Sequence, residues 1–248
     1  MLFRACGLAA FALVLLLVSA RASPAAAADR LGRDAVVLGW SVDGRAIRAI
    51  ETGDFDASRR ALVVGCVHGN ETAGIAIANR LAHDAPPKEI DLWIVPGLNP
   101  DGGVADTRGN AHDVDLNRNF PWRWQPLGGV YYSGPRPLSE PESRIAYRLI
   151  TKLNPQVSVW FHQHLDLVDE SGGSIAVERR FARLARLRLA RLNREPGSAV
   201  GWENPRDPAW TAFVVELPPG SLATAAVTRF AHAVLDVTTA SHRNVGVP

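Results

Sequence analysis

Cysteine is scarce in this chain of 248 residues, which has only Cys6 and Cys66. Cys6 lies in an N-terminal segment with the pattern of a cleavable secretory signal, so the mature chain is expected to hold one thiol and no internal disulfide. Cys66 belongs to an apolar run, where a cysteine is usually a small buried hydrophobe and burial raises the pKa of a thiol. We therefore predict that Cys66 is not a catalytic nucleophile.

A net charge is also lacking once that N-terminal segment is removed. The full chain carries 27 Lys and Arg against 25 Asp and Glu. Loss of residues 1–28 removes Arg4 and Arg21, and the 25 basic residues that remain balance the 25 acidic ones. This balance gives no indication of nucleic acid as a partner.

Residues 1–28 have the pattern of a secretory signal peptide. Arg4 precedes an apolar run at 6–18, and three alanines close the segment, although cleavage after Ala22 would also fit. The run is shorter than the roughly 20 residues that a membrane-spanning helix needs, which disfavours a retained membrane anchor. We therefore predict a mature domain at 29–248 in the secreted, periplasmic or cell-wall space, with no stable membrane span.

The predicted mature segment lacks internal repeats and Gly/Ser-rich linkers, so it is expected to form a single domain. Short apolar runs alternate with helical segments along it. This alternation predicts an α/β fold, a mixed, mostly parallel twisted sheet with helices on both faces. The predicted strands are 36–40, 47–51, 61–67, 92–95, 157–161 and 213–215, and the predicted helices are 72–83, 139–153 and 222–239.

Four polar residues follow buried apolar runs. His68 and Glu71 follow the same run, and His162 and Glu216 each follow a later one. In open α/β sheets, ligands bind beyond the carboxyl ends of the strands. Two histidines and a carboxylate, with a fourth position open for water, are the usual ligands of a catalytic zinc ion.

The pattern therefore predicts one zinc ion bound by His68, Glu71 and His162, with Glu216 as the base that takes the water proton. His164 competes for the third ligand position, because residues two apart in a strand point to the same side. His162 is preferred because it ends the apolar run directly.

A long loop at 96–138 is rich in Gly, Asn, Asp and Pro, and a loop of this length in a compact domain is usually functional. It contains Arg108 and Arg118. Arginine binds carboxylates in a bidentate fork, and beside a metal-bound carbonyl it can stabilise a developing oxyanion. The alternative for either arginine is a solvated surface position.

Taken in order, five motifs resemble those of the zinc metallocarboxypeptidase family, typified by pancreatic carboxypeptidase A, which binds zinc through two histidines and a glutamate. The motifs are His-Gly-Asn-Glu at 68–71, Asn-Pro-Asp-Gly at 99–102, Asp-Leu-Asn-Arg-Asn-Phe at 115–120, the histidine at 162 and Val-Glu-Leu-Pro at 215–218. The resemblance implies that Glu216 acts as base and then acid, that Arg108 stabilises the oxyanion, that Asn117 and Arg118 bind the substrate's terminal carboxylate, and that Asp115 hydrogen-bonds to His68.

Within that family, the segments 108–121, 139–142 and 160–163 look most like those of bacterial murein-peptide amidases. Those enzymes cut the D-glutamyl–diaminopimelate amide, so the resemblance implies a cell-wall peptide with a free C-terminal carboxylate as partner. The alternatives are a general L-peptide carboxypeptidase, a deacylase of small N-acyl amino acids and a non-catalytic wall-peptide binder.

Two regions depart from the family pattern or leave its details open. No tyrosine lies between His162 and Glu216, where the digestive enzymes have a mobile one. The segment expected to shape the side-chain pocket, 196–211, contains Glu203, Arg206 and Asp207, and the sequence does not indicate which of them faces the pocket.

The arginine-rich segment 179–194 predicts a helix, either an ordinary surface helix or a basic amphipathic one that touches anionic wall polymers or membrane.

Overall fold

The computed structural model describes residues 31–239, which form one eight-stranded sheet flanked by six α-helices. The predicted signal peptide at 1–28 lies outside the described residues. The strands are β1 (Leu31–Trp40), β2 (Ala46–Asp54), β3 (Arg60–Val64), β4 (Asp91–Val95), β5 (Val157–Gln163), β6 (Leu167–Asp169), β7 (Arg188–Ala190) and β8 (Thr211–Leu217). The helices are α1 (Ala73–His83), α2 (Pro100–Ala105), α3 (Pro141–Leu153), α4 (Ile175–Ala185), α5 (Ala199–Glu203) and α6 (Thr224–Thr239).

The sheet is mixed and has a parallel centre. Its strand order is β1-β2-β4-β3-β5-β8-β6-β7, and the four central strands β4, β3, β5 and β8 are parallel. At one edge β1 and β2 form an antiparallel hairpin, and at the other β6 runs antiparallel to β8. This arrangement confirms the predicted α/β class. Within residues 31–239, no helix combines the length and the apolar character needed to cross a membrane.

Helices cover both faces of the sheet, as predicted. Helices α1, α4 and α6 pack on one face, and α3 and α5 pack on the other. Neighbouring residues of a strand serve opposite faces: Val63 lies in the first core, and Leu62 and Val64 lie in the second. Because the central strands are buried on both faces, their sequences are continuously apolar, and this made them recognisable.

The arginine-rich segment 179–194 is not the single helix that was predicted. Helix α4 ends at Ala185, and Arg186 takes a left-handed conformation with φ of 60°. The chain then enters the edge strand β7, and Leu187 just before it and Leu189 within it pack against the core on either side of the exposed Arg188. A two-residue period belongs to a strand, so these leucines keep contact with the core after the helix has ended.

The carboxyl ends of β3, β5 and β8 meet at one edge of the sheet. His162 in β5 and Glu216 in β8 are register partners. Both strands run further than predicted, so the two residues lie inside their strands. Register partners on neighbouring strands project to the same face, so His162 and Glu216 point into the same space.

Candidate metal centre

Three buried side chains that were predicted to bind metal lie together at this edge. Nδ1 of His68 lies 2.9 Å from Oε2 of Glu71, Nδ1 of His162 lies 3.0 Å from the same oxygen, and the two nitrogens are 3.2 Å apart. Within residues 31–239, this is the one cluster of three or more His, Cys, Asp or Glu that could hold a metal ion. His164 is exposed and outside the cluster, which agrees with the preference for His162.

A tight turn after β3 brings His68 and Glu71 to the same side. The backbone N–H of Glu71 donates to the carbonyl of His68 at 3.0 Å. Gly69 presses against α2 so closely that a Cβ there would lie 2.0 Å from the carbonyl carbon of Gly102, so only glycine fits. The Asn99 side chain accepts from Gly102 N at 2.9 Å and caps α2, so the two Gly-containing motifs pack on each other.

Asp115 and Arg108 support the cluster through contacts with His68 and Glu71. Nε2 of His68 lies 3.0 Å from Oδ1 of Asp115, the contact that the resemblance implied. A proton on Nε2 leaves Nδ1 of His68 with its lone pair turned toward Glu71 and His162. Arg108 donates from Nε to Oδ2 of Asp115 at 2.8 Å and from Nη1 to Oε1 of Glu71 at 3.1 Å. The network therefore orients Oε2 of Glu71 toward both imidazoles.

The charges of the cluster favour a cation. Burial opposes ionisation of Glu71, but the contacts with the imidazoles of His162 and His68 outweigh burial and lower the pKa of Glu71. Burial likewise opposes ionisation of Asp115, yet His68 and Arg108 lower its pKa. Burial would lower the pKa of His68, but the carboxylates of Asp115 and Glu71 prevail and raise it. With both imidazoles neutral, as metal binding requires, two ionised carboxylates against one arginine leave the site negative.

The donor set fits zinc. Two imidazole nitrogens and one carboxylate oxygen are the protein ligands of many catalytic zinc sites. Tetrahedral zinc with ligands at about 2.0–2.2 Å separates those ligands by roughly 3.3–3.5 Å. The observed separations of 2.9, 3.0 and 3.2 Å are slightly shorter, so the three donors need to spread only a little to hold the ion.

Glu216 reaches the same space from the neighbouring strand. Its Oε2 is buried and has no hydrogen-bond partner among residues 31–239. Burial raises the pKa of the Glu216 carboxyl above its ordinary value. A carboxylate with a raised pKa is a stronger proton acceptor, as the predicted base requires.

A cleft of about 300 Å³ opens beside the cluster and is lined by Arg108, Asn117, Arg118 and Tyr131. Arg118 is only 7% exposed, and its Nη1 donates to the carbonyl of Asn117 at 3.0 Å. The ring of Tyr131 packs against both arginines, 5.3 Å from the guanidinium carbon of Arg108 and 5.4 Å from that of Arg118. The tyrosine of this cleft thus comes from the long loop, before His162 in the sequence.

Another wall of the cleft was missed by sequence reasoning. It consists of residues from β6, from the segment after β7 and from the start of α5. It is lined by Asp169, Ser171, Leu192, Arg194 and Glu195, and by Ser198, which does belong to the predicted pocket segment at 196–211. No motif marks these residues, because β6 and β7 have only three residues each and show no periodicity.

The expected pocket segment at 196–211 contributes differently from what its charges suggested. Glu203 is buried away from the cleft and accepts from Nε1 of Trp160 at 2.7 Å. Arg206 packs its guanidinium 4.6 Å from the Trp202 ring centroid. Neither these two residues nor Asp207 lines the cleft.

Cys66 is a core residue, as predicted. It is 1% exposed, and its Sγ donates to the carbonyl of His68 at 3.0 Å. Burial, assisted by the negative charge of Glu71, raises the pKa of its thiol to about 12. The thiolate needed for nucleophilic catalysis is therefore absent at neutral pH.

The chain is similar to known metallopeptidases in sequence. Residues 33–168 match the family model described as zinc carboxypeptidase. Murein peptide amidase A of Vibrio campbellii is 30% identical over 179 residues, which are 66% of this chain and 71% of that protein. Murein peptide amidase A of Escherichia coli K12 is 31% identical over 129 residues, 46% of this chain and 53% of that protein, so the match spans about half of that relative's length.

Solved structures share the fold. The murein-tripeptide amidase of Escherichia coli O157 superposes with a TM-score of 0.71 at 26% identity, covering 82% of this chain and 91% of that one. Carboxypeptidase A of Helicoverpa armigera gives a TM-score of 0.71 at 18% identity, covering 83% and 67%. At that lower identity the likeness shows a shared fold alone.

Proposed function

Because the chain belongs to the zinc carboxypeptidase family, a family of peptidases, we propose that it is a secreted hydrolase of cell-wall peptides that uses one zinc ion. The observation that carries the proposal is the convergence of His68, Glu71 and His162 beside Glu216, whose buried Oε2 has no partner in the described chain. These three residues would hold the zinc, which lowers the pKa of a bound water and polarises the scissile carbonyl.

Glu216 is the general base and then the general acid in this proposal. Its position opposite His162 in the sheet directs its carboxylate toward the metal cluster. It takes a proton from the attacking water as the new C–O bond forms. It then returns the proton to the leaving nitrogen as the C–N bond breaks, so the carboxylate is regenerated.

Asn117 and Arg118 bind the terminal carboxylate of the substrate. Oδ1 of Asn117 accepts from Ala199 N at 2.9 Å, which leaves its Nδ2 as a donor. Arg118 is held by the Asn117 carbonyl and by Tyr131, so its guanidinium is fixed before the substrate arrives. A fixed, partly desolvated arginine binds a carboxylate strongly and selectively.

Arg108 stabilises negative charge on the scissile carbonyl oxygen. Its Nε and Nη1 donate to Asp115 and Glu71, so Nη2 is left to donate to the substrate. Because both carboxylates hold the guanidinium in place, no reorganisation is needed as the charge develops.

Murein peptides are the proposed substrates. The relatives named murein peptide amidase A and the structural neighbour named murein-tripeptide amidase support this class. Cleavage of D-glutamyl–diaminopimelate releases an amino acid with a free carboxylate, which is the group that Arg118 would bind. The predicted signal peptide at 1–28 would deliver the enzyme to the periplasmic or cell-wall space.

The test is incubation of the mature chain with murein tripeptide, with ordinary L-peptides and with N-acyl amino acids, with zinc present or chelated, followed by mass spectrometry. The proposal expects zinc-dependent release of diaminopimelate. Release of ordinary C-terminal residues alone would indicate a general L-peptide carboxypeptidase. Cleavage of N-acyl amino acids alone would indicate a deacylase, and binding without release a non-catalytic wall-peptide binder.

A further inference from the structure

Asp169 is a buried carboxylate in the wall of the cleft. It is 8% exposed and lines the cleft together with the proposed zinc ligands. Oδ1 accepts from Leu192 N at 2.7 Å, and Oδ2 accepts from Oγ of Ser171 at 2.8 Å. These bonds hold the carboxylate in one orientation but occupy only half of its roughly four acceptor positions.

No cationic side chain of residues 31–239 forms an ion pair with Asp169, although other buried acids of the site have one. Arg194 lies on the same wall but packs on Gly172, with both terminal nitrogens within 2.3 Å of where a Cβ would stand. A buried carboxylate is costly unless a cation or enough hydrogen bonds compensate it. In this cleft, the compensating cation can come from the substrate.

The sheet places Asp169 on the same face as Glu216, displaced from it along β8. In the antiparallel pair of β6 and β8, Leu167 is the register partner of Glu216 and Val168 that of Val215. Asp169 therefore continues the ladder beside Val214, whose N–H donates to Oγ of Ser171 at 3.1 Å. Residues two apart in a strand share a face, so Asp169 lies on the face of Glu216, about 7 Å further along.

We propose that Asp169 binds an ammonium group at the far end of the substrate's C-terminal side chain. The inference rests on the proposed function, because Arg118 and the metal cluster fix where that side chain begins. A straight methylene side chain with a distal amine, as in diaminopimelate or lysine, is long enough to span the distance of about 7 Å along β8 between the positions of Glu216 and Asp169. Asp169 is thus a specificity-determining residue that selects side chains with a distal ammonium.

The test compares the wild type with Asp169→Asn, which keeps the size of the side chain and an acceptor for Leu192 N. The substrates are D-glutamyl peptides that end in diaminopimelate, in lysine and in 2-aminopimelate, which lacks the distal amine. Asp169→Asn is expected to lower kcat/KM about 10- to 100-fold for the two amine-bearing peptides and less than about 2-fold for 2-aminopimelate. Asp166→Asn, which removes an exposed acid from the turn before β6 and outside the cleft, is the matched control and is expected to change all three by less than about 3-fold.

Equal losses of kcat/KM on all three peptides, or no loss on the amine-bearing ones, would overturn the proposal. If the wild type cuts none of the peptides, the proposed function fails, and calorimetry on the zinc-loaded protein decides the role of Asp169 separately. Free diaminopimelate is then expected to bind at least about 10-fold tighter than 2-aminopimelate, with the difference lost in Asp169→Asn. Equal binding of the two amino acids by the wild type would refute the ammonium site.

Discussion

The two sides of the cleft satisfy their charges in different ways. On the metal side, His68, Glu71, Asp115 and Arg108 form a closed network of contacts between 2.8 and 3.1 Å. On the wall formed by β6 and the segment after β7, here called the far wall, Asp169 has hydrogen bonds but no ion pair among the described residues. The metal side keeps its geometry without a substrate, whereas Asp169 on the far wall presents a negative charge that a substrate cation can neutralise.

This difference separates residues that hold the metal ion from residues that select the substrate. A network in which each charge is paired fixes the orientation of imidazoles and carboxylates, and this is what a metal site requires. A buried charge such as that of Asp169, which has no counter-ion among residues 31–239, gives selectivity, because substrates without the matching group leave the charge uncompensated. Changes on the metal side are therefore expected to affect all substrates alike, and changes on the far wall only some.

The largest expected effect on metal binding is loss of a ligand. His162→Ala removes one of three donors and should abolish tight zinc binding and reduce activity by more than about 100-fold on every substrate, since even supporting partners are worth 10- to 100-fold. Metal content by atomic spectroscopy, measured together with turnover, tests this. His164→Ala is the matched control; it should keep zinc, and loss of zinc in that variant would contradict the choice of ligands.

Arg118→Ala should affect substrates with a free C-terminal carboxylate more than substrates whose C-terminus is blocked. Loss of a buried partner of a carboxylate is expected to lower kcat/KM about 100-fold for peptides with a free C-terminus and less than about 3-fold for amidated ones. The comparison is made by kinetics on paired peptides. Arg123→Ala, which removes an arginine stacked on Trp122 from the same loop, should change neither. Equal losses on free and amidated peptides would show that Arg118 does not bind the carboxylate.

Asp115→Asn should weaken the metal side without removing a ligand. The amide keeps the size of the side chain but loses the charge that supports His68 and Arg108, so we expect zinc affinity to fall about 10- to 100-fold. Competition with a chelator measures this. Asp113→Asn, an exposed neighbour, is the control. Unchanged zinc affinity in Asp115→Asn would mean that His68 is oriented by packing alone.

The smallest expected effect concerns Glu203, which belongs to neither side. Burial raises its pKa to about 7 from an ordinary value of 4.5, so the folded state keeps a proton that the unfolded state loses. Stability should therefore fall as the pH rises from about 4.5 to about 7. Glu203→Gln removes this fall, and its stability relative to the wild type should improve by roughly 1–3 kcal/mol between pH 5 and pH 8.

Urea unfolding at the two pH values measures the Glu203 effect. Asp34→Asn, an exposed acid on β1, serves as the control and should leave the pH dependence unchanged. A Glu203→Gln variant with the same pH dependence as the wild type would show that Glu203 is ionised in the folded protein.

The metal side could be predicted from the sequence because two signals coincide there. Buried parallel strands are continuously apolar, so the polar residues at their ends stand out, and topology brings those ends together. His68, Glu71, His162 and Glu216 were chosen in this way, and the structure brings the first three together. The preference for His162 over His164 also agrees with the structure, because His162 lies within β5 and His164 beyond it.

The far wall could not be predicted in the same way. Asp169 lies in a strand of three residues, and β7 follows a helix that ends at a left-handed arginine, so neither has a detectable period. Tyr131 lies in the long loop, where no regular element fixes its direction in advance. Glu203 looked like a pocket residue by composition, yet packing placed it beneath Trp160.

The role of Glu216 as the base is tested most directly by zinc content and murein-tripeptide hydrolysis, both measured in the same preparation of Glu216→Gln. Removing only the base should leave zinc at the wild-type level while hydrolysis falls about 100- to 10,000-fold, because the three ligands and the carboxylate site remain. Near-normal hydrolysis with zinc retained would contradict the assignment of Glu216 as the base opposite His162.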